Sequence, residues 1–173
     1  MSPPPRVLIA GIGNIFLGDD AFGVEVAQRL LRRPWPEEVR VVDFGIRGFD
    51  LAYAILDGPA LTILVDATPR GGAPGTLYVI EPDLDTATGQ AGPGIDSHSM
   101  DPVKVLQLVH MFGGRPEQML VVGCEPATFG PEGEGQMGFS APVAAALDGA
   151  VRLVETLAGE FIASGRVAGV ADA

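Results

Sequence analysis

Cysteine is nearly missing from this sequence: Cys124 stands alone among 173 residues. One cysteine excludes an intramolecular disulfide and the small disulfide-stapled secreted class. Positive charge is also scarce, with 11 Lys and Arg against 22 Asp and Glu and a formal net charge of −11. Such a chain repels nucleic acid and anionic membrane surfaces, both of which are gripped through Lys and Arg. No run reaches the roughly 20 apolar residues of a membrane span. The opening "MSPPPRVLIAGIG" lacks the charged and apolar regions of a signal peptide. The expectation is a cytoplasmic protein with no nucleic-acid or membrane partner.

What the chain does have is apolar residues, 47% of the total, with 24 Gly and 15 Pro placed between the apolar runs. That pattern reads as many short loops on a packed scaffold, a single domain over 1–173 with its core at about 6–164 and a frayed tail from 165. Strands are expected over 6–11, 39–45, 61–67, 76–82 and 119–125. The run "LTILVDA" is apolar enough to be buried on both faces. Helices are expected over 20–33, 47–58, 101–113 and 140–164. Pro34 ends the first, Asp101 and Pro102 open the third, and the Ser140 side chain caps the last. The order β-α-β-α-β-β-α-β-α predicts an α/β fold, a three-layer α/β/α sandwich with a mostly parallel five-stranded sheet. Sites in such sheets lie beyond the carboxyl ends of the strands.

Polar residues at those ends are therefore the candidates. The loop after the first strand, "GIGNIFLGDDAFG", carries Asp19 and Asp20. Asp43 ends the second strand, Asp66 the third, and Cys124 and Glu125 the fifth. His98 sits in the polar loop "DSHSMDP", whereas His110 falls inside a helical pattern. A phosphate cradle fits poorly. Gly11 and Gly13 match the first two positions of G-x-G-x-x-G, but Phe16 holds the third, and two carboxylates stand where a pyrophosphate would sit. One aspartate can cap the first helix, which leaves the other unexplained. Asp20, Asp66 and His98 together offer two hard oxygens and an imidazole, suited to Zn, Ni, Mn or Fe. Cys124 follows an apolar run, the setting of a buried thiol rather than a nucleophile.

In their order along the chain these segments resemble the hydrogenase maturation proteases. "GIGNIFLGDDAFG" is similar to that family's first-loop signature, "VVDFGIRGFDL" to its second-strand segment and "LTILVDA" to its third. "GAPGTLYVI", "DSHSMDPVKVL" and "LVVGCEP" follow in register, so that the likeness spans about residues 6–160. The resemblance implies an endopeptidase that removes the C-terminal extension of a nickel–iron hydrogenase large-subunit precursor after nickel insertion. It implies Asp20, Asp66 and His98 as metal contacts, with nickel contributed by the substrate rather than permanently bound. Asp20 and Asp66 are the catalytic candidates of that reading, and Asp43 is a substrate-orienting residue on the same rim. Asp19 is left as the cap or support beside Asp20. Asp20 and Ala21 stand where Glu and Gly are also common in the family. The expected partner is the precursor, met by a monomer. The alternatives are a nickel-sensing maturation chaperone that does not cleave, and a nucleotide-binding module.

Overall fold

The computed structural model describes residues 3–85 and 100–167. Five strands form one sheet: β1 (Val7–Ile12), β2 (Val39–Gly45), β3 (Leu61–Ala67), β4 (Leu77–Ile80) and β5 (Met119–Cys124). Their order across the sheet is β2-β1-β3-β5-β4, with only β4 antiparallel to its neighbour. Four helices complete the fold: α1 (Phe22–Leu31), α2 (Gly48–Leu56), α3 (Pro102–Met111) and α4 (Ala141–Ser164). A single tight turn, Gly18–Ala21, precedes α1. This is the expected α/β/α sandwich.

The alternation of β1 separates two cores. Val7 and Ile9 pack with Phe22 and Val26 of α1 and with Val151 and Val154 of α4. Leu8, Ala10 and Ile12 pack on the other face with Leu51 of α2 and Val105 and Val109 of α3. Every residue of β1 and β3 is buried, the expected state of central parallel strands covered on both faces. Among the described residues no helix is long and apolar enough to cross a membrane.

The differences from expectation lie at element ends. The first helix begins at Phe22 rather than residue 20, because Gly18–Ala21 winds more tightly, and it stops at Leu31 because Pro34 disfavours helical backbone at Arg33. β4 is four residues long, shorter than the expected 76–82, since an edge strand has one partner and Pro82 follows. Asp101 does cap α3, accepting the Lys104 N–H at 2.9 Å. Ser140 stands at the start of α4, but its side chain makes no cap bond; the hydroxyl is committed to Asp19. Gly165 closes α4 in the left-handed region, and most of the expected frayed tail, 168–173, lies outside the described residues.

The connections from β1 and β3 leave in opposite directions across the sheet, so the carboxyl ends of these two strands flank the topological switch point. Helix α1 starts there with no side chain between it and the sheet. A Cβ on Gly23 would lie 2.0 Å from the Val65 carbonyl oxygen and 2.3 Å from that of Ile12. A Cβ on Gly11 would lie 2.2 Å from the Gly23 oxygen. Gly23→Ala must therefore push helix and sheet apart, and urea unfolding should show a loss of about 3 kcal/mol. Gly159→Ala, on the exposed side of α4 with nothing within 4 Å of the added methyl, should stabilise by roughly 0.5–1 kcal/mol.

Candidate functional site

Asp66 is the penultimate residue of β3, where alternation sets it on the α2/α3 side with Leu64. It is 2% exposed, and its Oδ1 atom finds no hydrogen-bond partner among the described residues. Burial pushes its carboxyl well above the usual range. The negative charges of Asp20 and Asp101 push it further, and the Ala67 backbone N–H only partly opposes them. Asp20 is half-buried in the turn before α1, its Oδ2 accepting the Asn14 N–H at 2.9 Å. Burial raises its pKa too, against that bond, and Asp101 adds to the rise. The fold thus brings Asp20 and Asp66 together at the switch point. A buried carboxylate with one oxygen unpartnered, beside two more carboxylates, is relieved by a proton or by a cation.

Asp101 was legible only as a helix cap. Its second part, as a charge facing both aspartates, follows from where α3 begins. His98 lies outside the described residues. Among the described residues no three His, Cys, Asp or Glu side chains form a group that could hold a metal ion.

Asp43 is not brought to this pair. It alternates with Val39 and Val41 onto the α1 side of β2, where its Oδ2 accepts the Gln28 Nε2–H at 2.8 Å. It is not among the charges that shift Asp20 or Asp66. Instead it lines a groove of about 430 Å³ with Asn14, Phe16, Val24 and Ile46.

Asp19 takes a role that neither capping nor metal binding describes. It is fully buried and caps no helix. Its Oδ2 accepts the N–H groups of Ala127 (2.8 Å) and Thr128 (3.1 Å) and the Ser140 hydroxyl (2.8 Å). Its Oδ1 accepts the Ser140 N–H at 2.8 Å. Burial alone would raise its pKa, but these four bonds outweigh burial and hold it below the usual value. Further main-chain bonds between the two loops run from Gly18 to Gln136 (2.8 Å), from Gln136 to Phe16 (2.7 Å) and from Asp19 to Thr128 (3.0 Å). One carboxylate thus ties the first loop to the Gly-rich loop before α4.

Glu125 does the same for the loop after β3. Buried at 4% exposure, it accepts the N–H groups of Arg70 (2.9 Å) and Gly72 (2.7 Å) and the Tyr78 hydroxyl (2.9 Å). Burial opposes its charge, yet the Arg70 and Gly72 bonds win and lower its pKa. Sequence reasoning gave it no part; its place just after an apolar strand was the available signal. Cys124 is buried in the α1/α4 core, and burial, then the charges of Asp19 and Glu125, push its thiol up to about 11. Such a thiol is inert as a nucleophile. His110, in the last turn of α3, meets the Leu84 carbonyl oxygen at 2.7 Å.

The chain as a whole has relatives among known proteins. A model of the hydrogenase maturation protease family matches residues 24–157. The hydrogenase expression/formation protein HupM of Azotobacter chroococcum is 35% identical over 124 residues, 71% of this chain and 58% of that protein. The chain thus spans about three fifths of the length of the first such relatives. A Methanocaldococcus jannaschii protein named as a hydrogenase maturation protease is 31% identical over 149 residues, 86% of this chain and 93% of its own. Among solved structures, the hydrogenase maturating endopeptidase HybD from Escherichia coli superposes with a TM-score of 0.70 at 26% identity. The match covers 92% of this chain and 94% of that one. The nickel–iron hydrogenase maturation protease HycI from Thermococcus kodakarensis gives 0.61 at 27% identity, covering 87% and 90%.

Two buried carboxylates of opposite character, Asp19 and Asp66, predict opposite effects on stability. Asp19→Ala strands four donors and should cost about 3 kcal/mol or more in urea unfolding. Asp66 has a raised folded pKa, so its ionisation opposes folding as pH rises above the unfolded value of 3.8. Asp66→Asn should therefore raise the melting temperature of the metal-free protein at pH 7. The gap between variant and wild type should narrow as pH falls. The Asp19 contribution runs the other way: it is present above pH 3.8 and is lost as pH falls through the lower folded pKa.

Proposed function

This chain belongs to the hydrogenase maturation protease family, and on that premise we propose that it hydrolyses one peptide bond in a nickel–iron hydrogenase large-subunit precursor. The bond cut releases the C-terminal extension, after nickel has been inserted. The observation that carries this reading is the buried, unpartnered Asp66 Oδ1 beside Asp20 at the switch point. That donor set is hard, anionic and short of positive charge, which fits a divalent cation. Nickel in this reading is part of the substrate: the precursor presents it, and Asp20, Asp66 and His98 grasp it. So held, the nickel fixes the register of the chain and polarises the carbonyl beside it.

The chain's own carboxyls supply the proton traffic. As a water oxygen adds to the scissile carbonyl, one carboxylate of the Asp20/Asp66 pair takes the water's proton and returns it to the leaving amide nitrogen. The C–N bond breaks, leaving a free carboxyl and a free amine. Burial, which raises the proton affinity of both groups, favours that exchange. The rim suits a protein substrate. Phe16 is 60% exposed and Met137 68% exposed, on the two loops that Asp19 ties together. Large exposed apolar side chains on two joined loops suit contact with a macromolecular partner. In this reading a monomer meets the precursor in the cytoplasm.

Incubation with nickel-loaded precursor, followed by intact-mass measurement, tests the proposal. Loss of a C-terminal peptide is expected with nickel and not without it. Asp66→Asn and His98→Ala should each slow processing on the order of 100-fold or more at unchanged fold. A nickel-loaded precursor that is bound but never cut would replace the protease with a nickel-dependent holding protein.

A further inference from the structure

Strand β2 is an edge strand, paired only with β1 among the described residues. The bond from the Val7 N–H to the Glu38 oxygen, at 2.9 Å, sets the phase of that ladder. In a parallel pair successive residues turn their N–H and C=O groups alternately to one side and the other. Residues 40, 42 and 44 therefore face β1, and residues 39, 41 and 43 face outward. The Val39 N–H is taken by the Pro36 oxygen, and the Asp43 oxygen is taken by the Arg47 guanidinium at 2.6 Å. Left along the edge are the Val39 oxygen, both groups of Val41 and the Asp43 N–H.

Concave surface follows this edge from end to end. At its start lies a hollow of about 670 Å³ that includes Glu37, Val39 and Asp57. On the α2 face lies one of about 310 Å³ that includes Val42, Phe44 and Asp50. On the α1 face lies the groove of Asp43 and Ile46. Hollows on both faces of an edge are what an added strand needs for side chains that alternate between them. The far end of the edge runs into the site: Gly45 accepts the Gly13 N–H at 3.0 Å, and the next residue, Asn14, donates to Asp20. Charges of both signs line the hollows, Glu37, Asp43, Asp50 and Asp57 with Arg40 and Arg47, and Arg47 is drawn onto Asp50 and the strand carbonyls.

We propose that the extended segment of the precursor next to the cleaved bond docks by adding itself as a sixth strand along the outer edge of β2. Main-chain bonds to Val41 and Asp43 hold it, and its side chains enter the hollows on the two faces alternately. Arg47 caps the ladder, and beyond it the segment turns through the Asn14 groove to Asp20 and Asp66. The proposal rests on the proteolytic reading for the identity of the segment, but the docking mode is tested separately from cleavage.

Two measurements test it. In wild-type protein, a synthetic peptide of the precursor's C-terminal segment is titrated against the amide NMR spectrum. The Val41 and Asp43 amides should shift and gain protection from exchange. Binding that leaves both unmoved, or no binding at millimolar peptide, overturns the proposal whether or not the protein cleaves. Val41→Pro removes the outward donor at a position where an edge strand tolerates proline, while Val41→Thr keeps it. Val41→Pro should raise the KM for nickel-loaded precursor about tenfold with kcat retained, and Val41→Thr should not. A folded Val41→Pro that processes like wild type overturns the strand addition. Failure of the wild type to cut the precursor counts against the proteolytic reading instead, and the NMR titration still decides the edge.

Discussion

The close seating of α1 on the sheet is the constraint on which the site depends. Gly23 lets backbone meet backbone at β1 and β3, so the turn before the helix is pressed onto the switch point. Any side chain there would lift Asp20 away from Asp66. Because the turn Gly18–Ala21 is tight, its two aspartates leave in different directions. Asp20 faces the end of β3, and Asp19 faces the loop before α4. One backbone geometry thus sends one of two adjacent carboxylates to the switch point and the other into the loop before α4.

The acidic side chains around the sheet sort by whether their oxygens are satisfied. Asp19 and Glu125 are buried and richly hydrogen-bonded, and the bonds to the ionised form overcome the burial that would protonate them. They stay charged and hold loops. Asp66 is as deeply buried, but one of its oxygens has no donor and two more carboxylates face it. It carries a standing electrostatic cost in the absence of a cation or proton. The two kinds divide the work: Asp19 and Glu125 tie down loops at the carboxyl ends of the strands, and Asp66 is left with an unpaired oxygen there.

Much of this was legible in the sequence, for identifiable reasons. Strands buried on both faces read as apolar runs, and β2 and β3 match their expected bounds. Pro102 after Asp101 gave the start of α3. Asp20 and Asp66 follow from placement at strand ends once the sheet is parallel. What was not legible depends on long-range pairing. Nothing local says that Asp19 will meet Ser140, more than a hundred residues away, so a cap was the natural reading for both residues. Asp43 shows the same limit. It ends a strand at the right rim, but alternation along β2 sends its side chain to the α1 face. Only the registered sheet shows that. The place of His98 rests on the family resemblance, because it lies outside the described residues.

The loop after β1 has the glycines of a phosphate cradle and the opposite charge. The physical reason lies in how the helix start is used. In a nucleotide site the third glycine allows close helix–strand packing, and the exposed N–H groups receive an anion. Here Gly23 performs the packing from inside α1, and the donors nearby are already spent. The Asn14 N–H goes to Asp20, while those of Gly18 and Asp19 go to the loop before α4. With its donors consumed internally and two carboxylates left facing each other, the switch point has lost its affinity for anions. In the proposed reading the same crevice takes a cation instead, and the choice is made by which partners the N–H groups find rather than by the glycine pattern itself.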